Sequence, residues 1–262
     1  MTDIYIIYHV AIIGEWEQIV KEQLKSLEHS GLGQASSAIY IQLVGVSGRH
    51  EFEKLQKRFA TYSFSAKMNF KFYRNLEVFE YPSVNQVQQL ARAHPRAKLF
   101  YFHTKGASHS ELPKEDSLAY RQSWTPKQVE NLKQWRKFME YYTITKWQDC
   151  CKLLDYYDCC GTDWVKAPYS DNFYFSGNFW WATSAYILRC NLNKGNRFDC
   201  ENFIGTGSPR AKELMSSAHN PKLKRYLSDA EILERRYIGG VDPNYPIFQW
   251  WNYFYDDKYF KS

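Results

Sequence analysis

Residues 98–106 read KLFYFHTKG, an apolar, strand-like run that ends in histidine, threonine, lysine and glycine. In an α/β protein, a buried strand that stops at polar groups presents them at the carboxyl edge of its sheet, where such folds bind ligands. The stretch therefore predicts an α/β fold with a binding site that begins at His103, Thr104, Lys105 and Gly106.

A second stretch, FSGNFWWA at residues 175–182, combines small polar residues with two adjacent tryptophans. A Gly-Asn step lets the backbone approach a ligand closely, and aromatic rings offer faces on which sugars stack. Consecutive side chains of an extended segment point to opposite faces, so we expect one tryptophan to face the core and the other a cleft. The candidate sugar-binding residues are Ser176, Gly177, Asn178, Trp180 and Trp181.

The chain is long enough to bury a full core. The chain has 262 residues, of which 18% are aromatic, and a net charge of +6. An aromatic excess of this kind either lines carbohydrate or nucleotide sites or forms a ring-rich core. The positive charge is compatible with an anionic nucleotide, an anionic lipid surface in peripheral contact, or nucleic acid. Because the cations do not cluster and no nucleic-acid-binding motif appears, we expect no nucleic-acid partner.

No signal peptide or membrane span is evident, and the expected location is therefore the cytoplasm. The six cysteines include two adjacent pairs, which match no zinc-ribbon spacing. We expect reduced, mostly buried thiols rather than a metal site or a disulfide framework.

The N-terminal half alternates strand and helix patterns, which favours a mostly parallel sheet with helices on its faces. Strands are predicted at residues 4–13, 38–46, 71–73, 78–81 and 98–102, with helices after the first strand and around residues 84–91. A polar loop follows at 107–123. Further helices are predicted at 125–142, 144–156 and 228–237, and another strand at 158–164. One compact domain over residues 1–262 is expected, with a nucleotide-binding half at about 1–106 and an acceptor-side half at about 107–262.

The order of these motifs resembles the GT-A nucleotide-diphospho-sugar glycosyltransferases, and more narrowly the polysaccharide-type transferases related to rhamnan-synthesis proteins. The matching segments are HTKG at 103–106, Trp135-Arg136, GTDW at 161–164, FSGNFWWA at 175–182 and RFDCENFIG at 197–205. The resemblance spans roughly residues 4–205. It implies a Rossmann-type GT-A-like fold and transfer of a sugar from a nucleotide-diphosphate donor to a glycan or lipid-linked acceptor.

One departure from that family concerns the metal. GT-A enzymes usually hold Mn²⁺ or Mg²⁺ with an Asp-x-Asp motif, which is absent from this chain. The nearest equivalents are Asp199-Cys200-Glu201 and Asp229-Ala230-Glu231. Two carboxylates at this spacing can chelate a cation from an irregular loop, but in a helix they point apart. Asp199 and Glu201 are the better pair, since residues 229–231 fall in a predicted helix, and metal dependence stays open.

Without a metal, cationic side chains and backbone N–H groups must neutralise the diphosphate leaving group. Lys105 is the best-placed cation. The predicted donor-binding residues are His103, Thr104, Lys105, Gly106 and Asp163.

Proton transfer from the acceptor depends on the stereochemistry. An inverting transferase needs a base for the acceptor hydroxyl proton, and Glu201 or Asp199 is the predicted base, with His103 as a further catalytic candidate. A retaining enzyme needs no base at that position, and the sequence leaves both mechanisms open. His9, on the first strand, is expected to be structural.

Two other classes of function remain. The missing Asp-x-Asp favours a catalytically inactive carbohydrate-binding protein of the same fold. Positive charge and abundant aromatics leave single-stranded nucleic-acid binding as a weaker alternative.

Overall fold

The structure is a computed structural model, and it describes residues 2–108, 126–166, 172–193 and 198–215. Predicted features at 109–125, at 194–197 and in the C-terminal stretch from residue 216, including the helix at 228–237 and the acidic pair at 229–231, lie outside the described residues. The described strands are β1 (Ile4–Ala11), β2 (Ala38–Val44), β3 (Met68–Tyr73), β4 (Lys98–His103), β5 (Cys159–Gly161), β6 (Trp164–Lys166), β7 (Phe173–Phe175), β8 (Trp180–Thr183) and β9 (Ala211–Glu213).

The helices lie between these strands, as the alternating pattern predicts. They are α1 (Trp16–His29), α2 (Leu32–Ala35), α3 (Arg49–Phe59), α4 (Tyr81–Ala93), α5 (Pro126–Glu140), α6 (Trp147–Leu153), α7 (Ser184–Ile187) and α8 (Phe198–Asn202). A π-helical turn, Tyr141–Thr145, continues directly from α5. No helix in the described part of the chain is long and apolar enough to cross a membrane.

Seven strands form one mixed sheet in the order β3-β2-β1-β4-β8-β5-β9, and β6 pairs with β7 in a separate antiparallel sheet. Strands β3, β2, β1 and β4 are parallel, and β8 runs antiparallel to both β4 and β5. The expected α/β fold with a mostly parallel central sheet is thus confirmed. The strand order reverses direction between β1 and β4, so the carboxyl ends of these strands mark the topological switch point.

The core has two layers, one on each face of the sheet. Helices α1, α3 and α5 cover the first face, over buried side chains that include Tyr8, Phe100 and Trp181. Helices α4, α7 and α8 cover the second face, over Tyr101 and Trp180 among others. The twelve largest fully buried side chains described are all aromatic, so much of the aromatic excess fills the core.

The N-terminal prediction differs from the structure in two places. The segment 78–81 is not a strand, because Leu76–Val78 forms a 3-10 turn and α4 begins at Tyr81. Pro82 in the first turn of α4 is compatible with a helix start, since that position needs no backbone N–H. Helix α3 was not predicted, since its buried side chains are only Leu55 and Phe59.

The six cysteines are all free, and five of them are buried, as predicted. Cys151 is the half-buried one, and burial raises the pKa of its thiol to about 12. Burial also raises the pKa of Cys159 and Cys200. These thiols are therefore protonated at neutral pH and act as small apolar side chains.

Candidate functional site

The turn after β4 is fastened to β1 by the backbone and by one side chain. The N–H of Thr104 donates to the carbonyl oxygen of His9 at 3.1 Å, and the N–H of Ala11 donates to Oγ1 of Thr104 at 3.1 Å. Thr104 is 4% exposed. The structure therefore gives this predicted donor-binding residue a local role, which is to fix the position of the turn.

The loops that leave β1 and β4 touch each other at the switch point. Glu15 N–H donates to the carbonyl oxygen of Ala107 at 3.2 Å. A Cβ atom at Gly14 would lie 2.0 Å from that same oxygen, so only glycine permits this approach. Gly106 has φ +91, and a Cβ there would lie 2.9 Å from Cδ2 of Leu132 on α5. The carboxyl edge is thus a tightly packed meeting point of backbone segments.

A buried polar network on the first face of the sheet donates hydrogen bonds to the backbone of the turn after β4. Gln23 Nε2 donates to the carbonyl oxygen of His103 at 3.0 Å, and Arg136 Nη1 donates to that of Lys105 at 3.2 Å. Arg136 also forms an ion pair with Glu22, at 2.8 Å, and lies 3.5 Å from Glu140. The guanidinium group therefore joins α1, α5 and the turn after β4.

Glu140 is the most perturbed acid of this network. Burial raises the pKa of its carboxyl group to about 7, and the neighbouring Arg136 guanidinium only partly opposes that effect. The carboxyl group therefore keeps its proton to a higher pH than an ordinary glutamate does.

Lys105 projects its ammonium group toward an aromatic face. Its Nζ lies 5.0 Å from the centroid of the Trp135 ring on α5, a cation–π distance. Within the described residues, Lys105 forms no ion pair with a carboxylate. A positive charge is therefore available for an anionic ligand at the end of β4.

His103 lies on the opposite face of the sheet from the Arg136 network. Its Nε2 is 2.9 Å from the carbonyl oxygen of Gly177, and its ring packs edge-to-face on Phe179 with centroids 5.5 Å apart. Burial and the nearby Lys105 charge lower the pKa of His103 to about 4. Its neighbour on β1, His9, is 3% exposed and lies 3.0 Å from Oγ of Ser83, and burial also lowers the pKa of His9 to about 4.

Glu80 is the centre of a polar cluster that sequence reasoning did not find. It precedes the first residue of α4, and its Oε1 lies 3.5 Å from Nδ1 of His103. Its Oε2 accepts hydrogen bonds from Nδ2 of Asn178, at 2.6 Å, and from the hydroxyl group of Tyr101. Pro82 is a helix-start signal that sequence patterns already contain. Had it been used, it would have predicted a helix from about residue 81, with Glu80 at its N-terminus near the carboxyl edge of the sheet.

The segment 176–178 reaches the same cluster through its backbone and one side chain. Gly177 supplies the carbonyl oxygen near His103, and Asn178 is 1% exposed. Asn178 accepts a hydrogen bond from Nε1 of Trp180 at 2.8 Å while it donates to Glu80. Ser176 is half-buried, and its N–H donates to the carbonyl oxygen of Asp163. Asn178 therefore positions the Glu80 carboxylate rather than opening toward solvent.

Neither tryptophan of the motif lines a cleft, which corrects the expectation that one of them would. Trp180 and Trp181 do point to opposite faces of the sheet, but helices cover both faces and both side chains are 0% exposed. Trp180 stacks on Tyr101 with centroids 5.1 Å apart, and Trp181 stacks on Phe100 at 4.9 Å. Alternation was correctly predicted, but a strand inside a two-sided sheet has no open face.

Asp199 and Glu201 lie in α8 beside this cluster. The hydroxyl group of Tyr81 is 3.5 Å from Oδ2 of Asp199, and the charge of Glu201 acts on His103. Because α8 is helical, residues two apart point in different directions, and the pair does not fit a chelating site. In the described part of the chain, no group of three or more histidine, cysteine, aspartate or glutamate side chains is placed to hold a metal ion.

Asp163 lies further along the edge, after β5. It is 3% exposed and has φ +51, and its N–H donates to the carbonyl oxygen of Met215 at 3.1 Å. The structure thus places His103 and Asn178 against Glu80, with the charge of Glu201 acting on His103. Asp199 lies near Tyr81, Lys105 lies over Trp135, and Asp163 follows β5.

A cleft of about 510 Å³ opens between the segments that follow β1 and β2. Its wall includes the half-buried Trp16 ring, the cationic side chains of Arg49, Lys54 and Arg58, and the acidic side chains of Glu17 and Glu51. Arg58 forms an ion pair with Glu17 at 2.8 Å and Arg49 one with Glu53 at 3.0 Å. The cleft therefore combines an aromatic surface with basic groups on the carboxyl side of the sheet.

Comparison with known proteins yields one family match. The model of a family described as "Domain of unknown function (DUF8361)" matches residues 5–202, a range that holds all of β1 except its first residue, the strands β2 to β8 and every residue of the Glu80 cluster. No curated protein matches the chain.

Proposed function

The chain belongs to the DUF8361 family, whose description carries no activity, and from the geometry of its site we propose that the protein is a glycosyltransferase. It moves a sugar from a nucleotide-diphosphate donor to a glycan or lipid-linked acceptor. The observation that carries the proposal is what gathers at the strand ends: the Lys105 ammonium group follows β4, an acid–histidine cluster surrounds Glu80, and a cleft with aromatic and charged walls follows β1 and β2.

The cleft beside β1 and β2 supports a nucleotide site. Its volume of about 510 Å³ lies in the range of small-molecule sites. A nucleotide needs an aromatic or apolar surface for its base and cations for its phosphates, and the Trp16 ring and Lys54 offer both.

The fold supports the same reading. The order β3-β2-β1-β4 agrees with one half of a dinucleotide-binding sheet, in which ligands bind outside the carboxyl ends at the switch point. A GT-A-like, Rossmann-type domain has this arrangement of sheet and site, and we assign the chain to that architecture as part of the proposal.

The diphosphate leaving group is neutralised in this scheme by protein groups alone. Asp199 and Glu201 do not fit a metal-chelating pair, so no step is assigned to a cation. Lys105 at the end of β4 places positive charge where the bond to the leaving group breaks, and such charge stabilises the transition state more than the substrate. Arg136 and Gln23 hold the backbone of the turn, which keeps the ammonium group in position.

The test is calorimetric titration with UDP-, GDP- and dTDP-sugars, each with Mn²⁺ and with EDTA. We expect selective binding of one donor class without metal, and a loss of about 10- to 150-fold in affinity for Lys105→Ala, since a contact to a charged group contributes about 1.5 to 3 kcal/mol. Lys146→Ala is the matched control, because Lys146 also lies over an aromatic ring, Tyr141, at 5.5 Å.

Three outcomes would change the assignment. Binding that needs Mn²⁺ would contradict the metal-free scheme. A donor that binds but is never hydrolysed or transferred would favour the inactive carbohydrate-binding protein. Absence of binding across the whole panel would overturn the donor site.

A further inference from the structure

A carboxylate oxygen of Glu80 and a ring nitrogen of His103 face each other, and both are hydrogen-bond acceptors. The carbonyl oxygen of Gly177 can only accept, so the Nε2 atom of His103 that lies 2.9 Å from it carries the ring proton. The His103 ring is neutral at neutral pH because burial lowers its pKa to about 4. Its Nδ1 therefore has a free lone pair, and this atom lies 3.5 Å from Oε1 of Glu80.

The two carboxylate oxygens of Glu80 have different surroundings. Oε2 is held by Asn178 and by the hydroxyl group of Tyr101. Among the described residues, no donor reaches Oε1. Two facing acceptors without a proton between them repel weakly, and a ligand that supplies one proton relieves this repulsion.

The pair keeps some exposed surface, and an exposed aromatic residue precedes Glu80 in the chain. The side chains of Glu80 and His103 keep 16% and 13% of their surface exposed. Phe79, immediately before Glu80, is 41% exposed and has φ +46, a conformation uncommon for a bulky residue. A carboxylate oxygen without a donor is suited to a sugar hydroxyl group, and an exposed aromatic ring is suited to the C–H face of a sugar.

We propose that Glu80 Oε1 and His103 Nδ1 together bind one hydroxyl group of a sugar acceptor and receive its proton during transfer. The inference rests on the proposed function and replaces Glu201 and Asp199 as the base with a pair of which the sequence indicated only His103. It also makes the enzyme inverting, because a base of this kind serves direct attack on the anomeric carbon.

The step is balanced in atoms and electrons. The acceptor oxygen forms a bond to the anomeric carbon while the bond from that carbon to the diphosphate oxygen breaks and its electron pair leaves with the diphosphate. The acceptor O–H bond breaks in the same step, and the proton comes to lie between Oε1 and Nδ1. The negative charge of Glu80 and the lone pair of His103 both stabilise the proton there.

Other titratable groups also face the pair. They are His9 on β1, Tyr101 on β4, Lys105 in the turn, Cys200 and Glu201 on α8, all of which act electrostatically on Glu80 or His103. A pH profile of the reaction therefore needs a variant that isolates Glu80.

The experiment compares Glu80→Gln with wild type and with Glu77→Gln, an exposed glutamate three residues earlier. The donor identified in the panel is bound first, and its slow hydrolysis, with water as the acceptor, is followed by chromatography across the pH range. We expect Glu80→Gln to bind the donor with unchanged affinity and to lose about 100-fold in turnover, the scale of general-base catalysis. Glu77→Gln should match wild type in both.

A second measurement does not depend on turnover or on a variant that folds. In ¹⁵N-histidine spectra of the wild-type protein, His103 should be the neutral Nε2–H tautomer, and saturating free monosaccharides should shift its Nδ1 resonance. Turnover of Glu80→Gln within threefold of wild type, or an Nδ1 resonance that no monosaccharide shifts, overturns the proposal. Absence of donor binding to the wild type would instead reject the proposed function, and the monosaccharide titration alone would then decide on the hydroxyl site.

Discussion

Glu140 is a single buried acid whose protonation couples the stability of the protein to pH. Its pKa is raised to about 7 in the folded state, whereas an unfolded glutamate ionises near its ordinary value. The folded state therefore holds the proton more tightly, and the free energy of unfolding falls as pH rises from about 4.5 to about 7.

Glu140→Gln should remove this dependence, because glutamine imitates the protonated acid and Arg136 keeps its ion pair with Glu22. Relative to wild type, we expect the variant to gain about 1 to 3 kcal/mol between about pH 5 and about pH 8. Urea denaturation at several pH values measures the difference, and parallel stability profiles for the two proteins would contradict the prediction.

Gly177 illustrates how a residue without a side chain fixes the site. It has φ +87, and a Cβ there would lie 2.2 Å from Sδ of Met139. Gly177→Ala should therefore cost about 2 to 4 kcal/mol of stability, from backbone strain and overpacking together. Gly31→Ala is the control, since Gly31 has φ +72 but no atom within 4 Å of its Cβ position, and it should cost only about 1 kcal/mol. Equal losses in thermal denaturation would contradict the account of the Met139 contact.

At the scale of elements, strand β8 carries two buried tryptophans on opposite faces, and only Trp180 is hydrogen-bonded to a residue of the site. Trp181 donates through Nε1 to the carbonyl oxygen of Thr143 in the π-helical turn, at 2.8 Å, while Trp180 donates to Asn178. Both Trp181→Phe and Trp180→Phe should lose about 1 to 3 kcal/mol of stability, since each leaves a buried acceptor without its donor.

Only Trp180→Phe should also weaken the site, because it releases Asn178, which holds Glu80. We expect reduced turnover for Trp180→Phe and wild-type turnover for Trp181→Phe, both measured at a temperature where the two variants are folded. Equal turnover in the two variants would show that the hydrogen bond from Trp180 to Asn178 does not affect the function of Glu80.

The elements that sequence patterns predicted well are those with one strong periodic signal. β1, β2, β4, α1 and α4 follow the apolar spacing of the chain closely. α3 was missed, since a helix that buries only Leu55 and Phe59 has a weak apolar stripe. The site followed the same rule: the end of β4 was identified from its sharp change in polarity, whereas Glu80 joins the site through long-range contacts with Tyr101 and Asn178 that no local pattern encodes.

For the whole molecule, the sheet order predicts where stability is concentrated. β1 and β4 lie inside the seven-stranded sheet and are almost fully buried, whereas β9 is half-exposed at one margin of the described sheet. Amide hydrogen exchange should therefore be slowest in β1 and β4 and markedly faster in β9. Mass-spectrometric exchange measures this, and equal protection of β9 and β1 would mean that the sheet opens only as one cooperative unit.

Because five of the six thiols are buried, the rate of their chemical modification measures how often the folded structure opens. A thiol-specific reagent reacts with the thiolate, and five of the six sulfur atoms are covered while that of Cys151 is held protonated by its raised pKa. Labelling of the native protein should therefore be slow and should proceed only as fast as the layers separate. Cys160 and Cys150 lie under the first face of the sheet, and Cys159, Cys190 and Cys200 lie under the second. The order in which these sulfur atoms are modified would show which of the two core layers opens first.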